Sequence, residues 1–344
     1  MRRISVHAPP NQHGPDGTFR NPWPSAEPHG VREFLKWMVT YDRRRDPTKR
    51  GAQPVADPAF ATPRAAPDQV SLTWVGHSTF LIQIGDRNVL TDPMWGERAS
   101  PVAFAGPRRF MPPGVPFDEL PPVDFVVQSH DHYDHLDRST VRRLAAIHPS
   151  AEWVVPLGLA EWVAAHGVVR VRELDWWDSA RLDETTTVTC TPAQHFSGRT
   201  WHRNRTLWAG WVLAAGGHRV YFVGDTGYFP EIGQAGARLG PFDAVLVPIG
   251  AYDPRWFMRP AHLDPEEAVR VYREVTGHQG DHACTMTAMH WGTFKLTEEP
   301  LREPPERARR AWHDAGLPPD LLWIPTHGET RWLGDADTFR PAHA

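Results

Sequence analysis

Ser129-His130-Asp131-His132-Tyr133-Asp134-His135-Leu136-Asp137 concentrates three histidines and three aspartates in one short piece of chain. It follows the apolar run Phe125-Val126-Val127, which predicts a buried strand, and precedes a helix expected to begin near Arg138. The polar stretch is therefore the turn from a strand end onto a helix. Imidazole and carboxylate donors suit zinc, and iron and manganese share the same ligand types. His130 and His132, two residues apart, can converge on one ion from an extended turn. Asp134 and His135 come next, so a second ion can share the turn, and a single ion rarely needs four donors from so short a segment. The bland alternative is a solvated loop with a chance cluster of histidines. Three of them in six residues directly behind a strand weigh against it. The stretch predicts a metal site, and a dinuclear one.

Further motifs follow in order. Gln194-His195, Gly224-Asp225-Thr226 and Met289-His290-Trp291-Gly292 come after the His-x-His-x-Asp-His pattern, and the set resembles the signature of the metallo-β-lactamase fold. Within that superfamily the chain resembles in particular the N-acylphosphatidylethanolamine-hydrolysing phospholipases D. The matching stretches are Trp74-Val75-Gly76-His77, Leu90-Thr91-Asp92-Pro93, Ala99-Ser100-Pro101, Leu120-Pro121-Pro122, Val155-Pro156-Leu157-Gly158-Leu159, Leu174-Asp175-Trp176-Trp177, Pro248-Ile249-Gly250-Ala251-Tyr252 and Pro254-Arg255-Trp256-Phe257-Met258. They cover most of the chain from about residue 70 to residue 330. The resemblance implies an α/β fold of four layers, the αββα sandwich of two mixed β-sheets flanked by helices.

The 344 residues carry 37 basic and 41 acidic side chains, a net charge of −4, so no strongly basic surface points to nucleic acid. Cys190 and Cys284 form no CxxC pair and no disulfide framework, which suits a reducing compartment. Arg2-Arg3 is not followed by an apolar core of signal-peptide length. No run approaches the ~18 apolar residues that span a bilayer. The expectation is a soluble, cytoplasmic protein, with peripheral membrane contact and a homodimer left open.

Residues 1–68 are rich in proline and charge and are expected to drape irregularly over the core as an N-terminal extension, ahead of a hydrolase domain at 69–344. Within them Val31, Phe34, Leu35 and Met38 fall at i, i+3, i+4 and i+7, which predicts one amphipathic helix. Such a helix either covers a sheet edge or rests on lipid, with Lys36, Arg43, Arg44 and Arg45 near anionic headgroups. Compact structure is expected from Ser71, with strands at Leu72–Val75, Thr79–Ile82 and Val89–Thr91 and a turn over Gly85-Asp86-Arg87-Asn88. The connection 94–122 is long enough to be functional, and its apolar residues, Phe104 among them, suit acyl chains as well as ordinary packing. Helices at Arg138–Ile147 and Leu159–Ala165 and strands at Trp153–Val155, Thr186–Cys190, Leu207–Ala214, Arg219–Val223 and Phe242–Ile249 alternate as in a layered α/β protein. Asp264-Pro265-Glu266-Glu267 carries an N-cap, a proline at N1 and first-turn carboxylates, a helix start with His262 just ahead of it.

Carried over from the fold, His130, His132 and His195 would hold one metal and Asp134, His135 and His290 a second, with Asp225 bridging. The expected cofactors are two Zn2+, with iron and manganese as the other candidates. His77 and Asp92 are expected to support the ligands from behind, because metal-bound imidazoles need a fixed outer partner. The phospholipase D resemblance implies hydroxide attack on a phosphodiester, with water made nucleophilic near pH 7 by the metals. Asp134 would orient or deprotonate the nucleophile and His262 would assist the leaving group or grip the phosphate. Arg255, Tyr252, Trp256, Phe257 and Phe104 are the candidate contacts for a phospholipid or other phosphodiester. No G-x-S-x-G elbow offers a serine route. The alternatives are a lactonase of the ascorbate-6-phosphate type and a non-catalytic lipid-binding protein on the same fold. His327 has no assigned role.

Overall fold

The computed structural model describes residues 11–23, 30–40, 53–199 and 202–334. In chain order the helices are α1 (Val31–Thr40), α2 (Arg138–Ile147), α3 (Ala160–Ala164), α4 (Gln234–Leu239), α5 (Arg255–Met258), α6 (Pro265–Thr276) and α7 (Glu303–Asp314). The strands of the first half are β1 (Val70–Gly76), β2 (Thr79–Ile84), β3 (Arg87–Thr91), β4 (Phe125–Val127), β5 (Glu152–Pro156) and β6 (Arg170–Leu174). Those of the second are β7 (Ser179–Arg181), β8 (Thr187–Thr191), β9 (Gly198–Arg199), β10 (His202–Arg203), β11 (Gly210–Ala215), β12 (His218–Phe222), β13 (Ala244–Pro248), β14 (Thr285–Met289), β15 (Leu322–Trp323) and β16 (Thr330–Leu333).

Two seven-stranded sheets result, ordered β16-β1-β2-β3-β4-β5-β6 and β15-β14-β13-β12-β11-β8-β7. Both are mixed. β16, β1, β2 and β3 pair antiparallel and β3 to β6 parallel, while β7, β8, β11 and β12 pair antiparallel and β12 to β15 parallel. The two halves thus repeat one layout that no sequence similarity between them betrays. Successive strand side chains point to opposite faces, and the first sheet divides its residues accordingly. Phe80, Ile82, Val127 and Val154 join Trp211 and Phe222 in the core between the sheets. Leu81, Val126, Trp153 and Val155 face out and pack with Val141 and Leu144 of α2 and Val163 of α3. Val269 and Tyr272 of α6 and Trp312 of α7 cover the second sheet. This is the four-layer αββα sandwich.

Two expectations need correction. Gly85 and Asp86 alone make the turn between β2 and β3, because Ile84 pairs with Arg87 and Gln83 with Asn88. Asn88 is drawn into the strand by tertiary bonds. Its Nδ2 donates to Pro63 O (2.8 Å) and Pro122 O (2.7 Å), and its backbone N–H to Asp124. Packing also begins well before Ser71: Phe19 and Trp23 are buried in the central core. Helix α1 forms where expected. Its Trp37 stacks on Phe257 (5.3 Å) and donates to Glu298 Oε1 (3.0 Å). The side chains of Val31, Phe34, Leu35 and Met38, and all of Arg43, Arg44 and Arg45, lie outside the described part. No helix among the described residues is long and apolar enough to cross a membrane.

Candidate metal centre

Four strand ends deliver the donors. β4 runs into the turn 128–137, which Asp137 closes by capping α2, its carboxylate accepting from Thr140 N (2.8 Å). His195 follows β8, Asp225 follows β12 and His290 follows β14. The turn before Asp225 requires glycine. Gly224 sits at φ +70°, and a Cβ there would lie 2.6 Å from Ala209 O. Four of the eight described non-glycine residues with positive φ cluster here: His77, Asp92, Ala251 and His290. Such backbone strain is held only where surrounding structure enforces it.

The donors form two groups sharing one carboxylate. His132 Nδ1 lies 2.9 Å from His130 Nε2 and 3.2 Å from His195 Nε2. His135 Nε2 lies 3.2 Å from His290 Nε2 and 3.3 Å from Asp134 Oδ2. Asp225 Oδ2 stands 2.9 Å from His290 Nε2, 3.1 Å from His135 Nε2 and 3.9 Å from His195 Nε2, so it touches both groups. All of these but His132 and Asp134 are buried, those two being half-buried.

The ring orientations show that the groups fit cations. A neutral imidazole has one N–H and one lone pair. His195 Nδ1 donates to Ala261 O (2.8 Å), an acceptor only, so its Nε2 turns a lone pair inward. His135 Nδ1 is likewise committed to Asp92 Oδ2 (2.7 Å) and His130 Nδ1 to Ser129 Oγ (2.8 Å). His130 Nε2 and His195 Nε2 thus turn lone pairs toward one point beside His132 Nδ1, an arrangement that a cation satisfies. Asp225 Oδ1 and His290 Nδ1 are buried without a partner. Titration points the same way. Burial, then the neighbouring imidazoles, hold His130 well below its ordinary value, and burial lowers His132 to about 3 and His195 to about 4. These three are neutral at pH 7. Burial also opposes charge on His135 and His290, but Asp225 and Asp134 outweigh it, raising His135 strongly and His290 to about 9. Protons gather where a second ion would neutralise the two carboxylates.

A supporting layer fixes the turn, and several of its members gave no signal in the sequence. Asp92 Oδ1 accepts from Ser129 N (2.6 Å) and Gln128 Nε2 (3.0 Å), and its Oδ2 accepts from Ser129 Oγ and His135. Gln128 Nε2 also reaches the carbonyls of His130 and His135. Arg199 Nη1 donates to Asp131 O (2.8 Å) and Leu136 O (2.7 Å), pinning both ends of the ligand-bearing turn. Its guanidinium carbon lies over the Tyr133 and Trp162 rings, 4.2 and 4.6 Å from their centroids. Asn21 donates to the carbonyl of His195.

The other expected residues divide. His77 Nε2 lies 2.9 Å from Asp134 Oδ2, and burial lowers its pKa to about 3. His262 Nδ1 is buried, unpartnered and 3.9 Å from Asp225 Oδ2. Arg255 is occupied by Glu267 (2.6 Å), Asp264 (3.3 Å) and the carbonyl of His262 (2.8 Å). Tyr252 is buried and donates to Glu303 Oε1 (2.8 Å). Trp256 is half out in solvent beneath Lys36, with Phe257 beside it. Phe104 is 84% exposed. His327 bonds Thr293 Oγ1 (2.9 Å) and packs on Trp74 (4.3 Å), away from the donors.

The chain is similar to known proteins. Residues 87–291 match the family model of the beta-lactamase superfamily domain. An uncharacterized protein of Mycobacterium tuberculosis is 43% identical over 309 residues, covering 89% of this chain and 80% of that protein. N-acyl-phosphatidylethanolamine-hydrolyzing phospholipase D 1 of Caenorhabditis elegans is 42% identical over 248 residues, 69% of this chain and 68% of that protein. Igni18, a metallo hydrolase of the archaeon Ignicoccus hospitalis, superposes with a TM-score of 0.57 at 20% identity, over 77% of this chain and 98% of that one. At that identity the last likeness speaks for the fold alone.

Proposed function

The chain belongs to the beta-lactamase superfamily as a metal-dependent hydrolase close to the N-acylphosphatidylethanolamine-hydrolysing phospholipases D, and from that premise we propose a phospholipase D reaction. In this reading it cleaves N-acylphosphatidylethanolamine or a related phosphodiester to phosphatidic acid and N-acylethanolamine, with two zinc ions. The observation that carries the reading is the full donor set, brought together in a chain 42% identical to a phospholipase D of that specificity.

His130, His132 and His195 would hold one ion, Asp134, His135 and His290 the other, and Asp225 both. Bound there, the ions supply Lewis acidity that lowers the pKa of water from 15.7 to about 7 and offsets charge on phosphoryl oxygens. Asp134 is the carboxylate of the set that reaches solvent, its side chain 14% exposed against 1% for Asp225. It orients the attacking water and accepts its proton, while His77 Nε2 fixes the carboxylate from the other side. His262 is neutral at pH 7 because burial holds its pKa well below the ordinary value, so it donates an N–H without adding a charge. It serves the departing ethanolamine oxygen, and Arg255 sets its position through the backbone carbonyl. The P–O bond to N-acylethanolamine breaks, the water oxygen stays on phosphorus, and the proton accepted by Asp134 is returned through solvent to the alkoxide, which the His262 N–H holds by a hydrogen bond.

A lipid substrate calls for contact with a lipid surface. The tip Pro101-Val102-Ala103-Phe104-Ala105-Gly106 is exposed throughout, and Arg98 and Arg138 line one cavity with Pro101, Val102 and Ala103. An apolar tip beside cations suits insertion among anionic headgroups. The test of the reaction is turnover of N-acylphosphatidylethanolamine by zinc-loaded protein in ¹⁸O-water. Label in phosphatidic acid, with unlabelled N-acylethanolamine, is expected. No turnover by protein with a filled centre would refute this substrate.

A further inference from the structure

The N-terminal strap, residues 11–23, reaches the metal centre. It is tied at one end to the residue that follows β6, where Asp175 accepts from Gln12 Nε2 and pairs with His13 Nε2, each at 2.7 Å. Phe19 N donates to Asn204 O (2.8 Å) and Arg205 Nη1 to Asp16 O (2.7 Å). At the other end Trp23 stacks on Phe229 (4.1 Å) and Trp176 (5.6 Å) inside the central core. Between these anchors Asn21 Nδ2 donates to the backbone carbonyl of His195 at 2.9 Å.

That bond has a fixed sense. A backbone carbonyl only accepts, so the amide of Asn21 must turn its nitrogen to His195, although its Oδ1 is then buried with no partner. A buried acceptor left unpaired is unfavourable, so the amide keeps this orientation because its donor end is held on His195. His195 is gripped twice in consequence. Ala261 O takes the ring N–H and sets its direction, and Asn21 takes the carbonyl and sets the backbone behind it.

We propose that Asn21 is a positioning residue for His195, making the strap part of the zinc centre. The inference rests on the two-zinc reading above. Partners behind a metal ligand typically cost 10–100-fold in metal affinity when lost. The bond of Asn21 goes to His195, a donor of the first group, so the loss falls on that site.

The test titrates zinc into the metal-free full chain against a competing chelator and records the cobalt-substituted absorption spectrum. Asn21→Asp keeps the shape of the side chain and removes the donor. It is expected to weaken one of the two sites 10–100-fold, to leave the other unchanged and to alter the cobalt bands, as is Asn21→Ala. Gln12→Ala, which removes one strap bond while His13 keeps the strap on Asp175 and Asn21 keeps its bond to His195, should bind both ions as wild type does. Unfolding midpoints of the metal-free variants separate a local effect from a folding defect. Wild-type affinities and bands in Asn21→Asp would overturn the inference, as would equal weakening of both sites. Wild-type protein that takes up no zinc would instead remove the metal centre itself, and this inference with it.

Discussion

Replacing Arg199 should loosen the ligand turn from outside the metal centre. One guanidinium nitrogen donates to the carbonyls of Asp131 and Leu136, the residues that flank His132, Asp134 and His135. Each bond from a charged donor contributes about 1.5 kcal/mol at the low end of its range, or ~3 kcal/mol for the pair. Stacking on Tyr133 and Trp162 adds roughly 1 kcal/mol. Against this stands the cost of burying the cation, visible in a pKa held below the usual arginine value by burial. Arg199→Met, which keeps the bulk and drops the charge, is expected to lose about 2–3 kcal/mol of unfolding free energy. Arg199→Lys can reach one carbonyl but cannot stack on the rings as a planar guanidinium does, so it should fall between Met and wild type. Urea unfolding of metal-free protein gives the first number, and a chelator-competed zinc titration gives the second, a loss of about 10–100-fold in affinity. An Arg199→Met protein within about 0.5 kcal/mol of wild type, the usual range for a neutral surface change, and with unaltered zinc affinity would refute the clamp.

Other outcomes follow from the same geometry. His132→Ala and Asp225→Ala should each abolish turnover and lower metal content by elemental analysis, Asp225→Ala more severely because its Oδ2 touches both groups. Full metal content in either would refute the shared site. Phe104→Asp should abolish cosedimentation with anionic phospholipid vesicles while hydrolysis of a soluble phosphodiester is kept, since the side chain is 84% exposed and leaves the core intact. Asp183 accepts from Arg87 Nε (2.7 Å) and from the backbone of Thr185 and Thr186, and these bonds outweigh its burial and depress its pKa. A depressed folded pKa gives stability that is complete above the unfolded value of about 4 and lost as pH falls through the folded one. The destabilisation by Asp183→Asn in urea melts should therefore be largest at neutral pH and shrink below about pH 4.

The parts legible in the sequence were those that local chemistry decides. Apolar runs marked β4 and β13, the alternating Thr186-Val188-Cys190 pattern marked β8, an Asp-Pro-Glu-Glu start marked α6, and the donor motifs announced themselves at strand ends. In α6 the capping box forms, with Asp264 accepting from Glu267 N at 2.8 Å. What could not be read depends on where distant segments land. Asn88 is a turn former on its own, yet it sits in β3 because Pro63 and Pro122 offer it carbonyls. Arg199 lies far along the chain from the turn it clamps, in a segment with no periodicity. Asn21 stands among prolines and charges that predict irregular structure. The strap is irregular, and its importance comes from its endpoint.

The centre also explains why the fold needs both halves. The first sheet supplies the turn after β4, with His77 and Asp92 behind it. The second supplies His195, Asp225 and His290 from the ends of β8, β12 and β14. Neither sheet alone assembles three donors around the shared carboxylate, so the complete set exists only once the sandwich has closed. A metal ion bound at such a seam would stabilise the closed state by mass action and draw folding and metal uptake into one equilibrium. The repeated strand layout places the ends of both sheets on the same side. That is why His135 and His290, 155 residues apart in the sequence, converge within hydrogen-bonding distance of one aspartate oxygen.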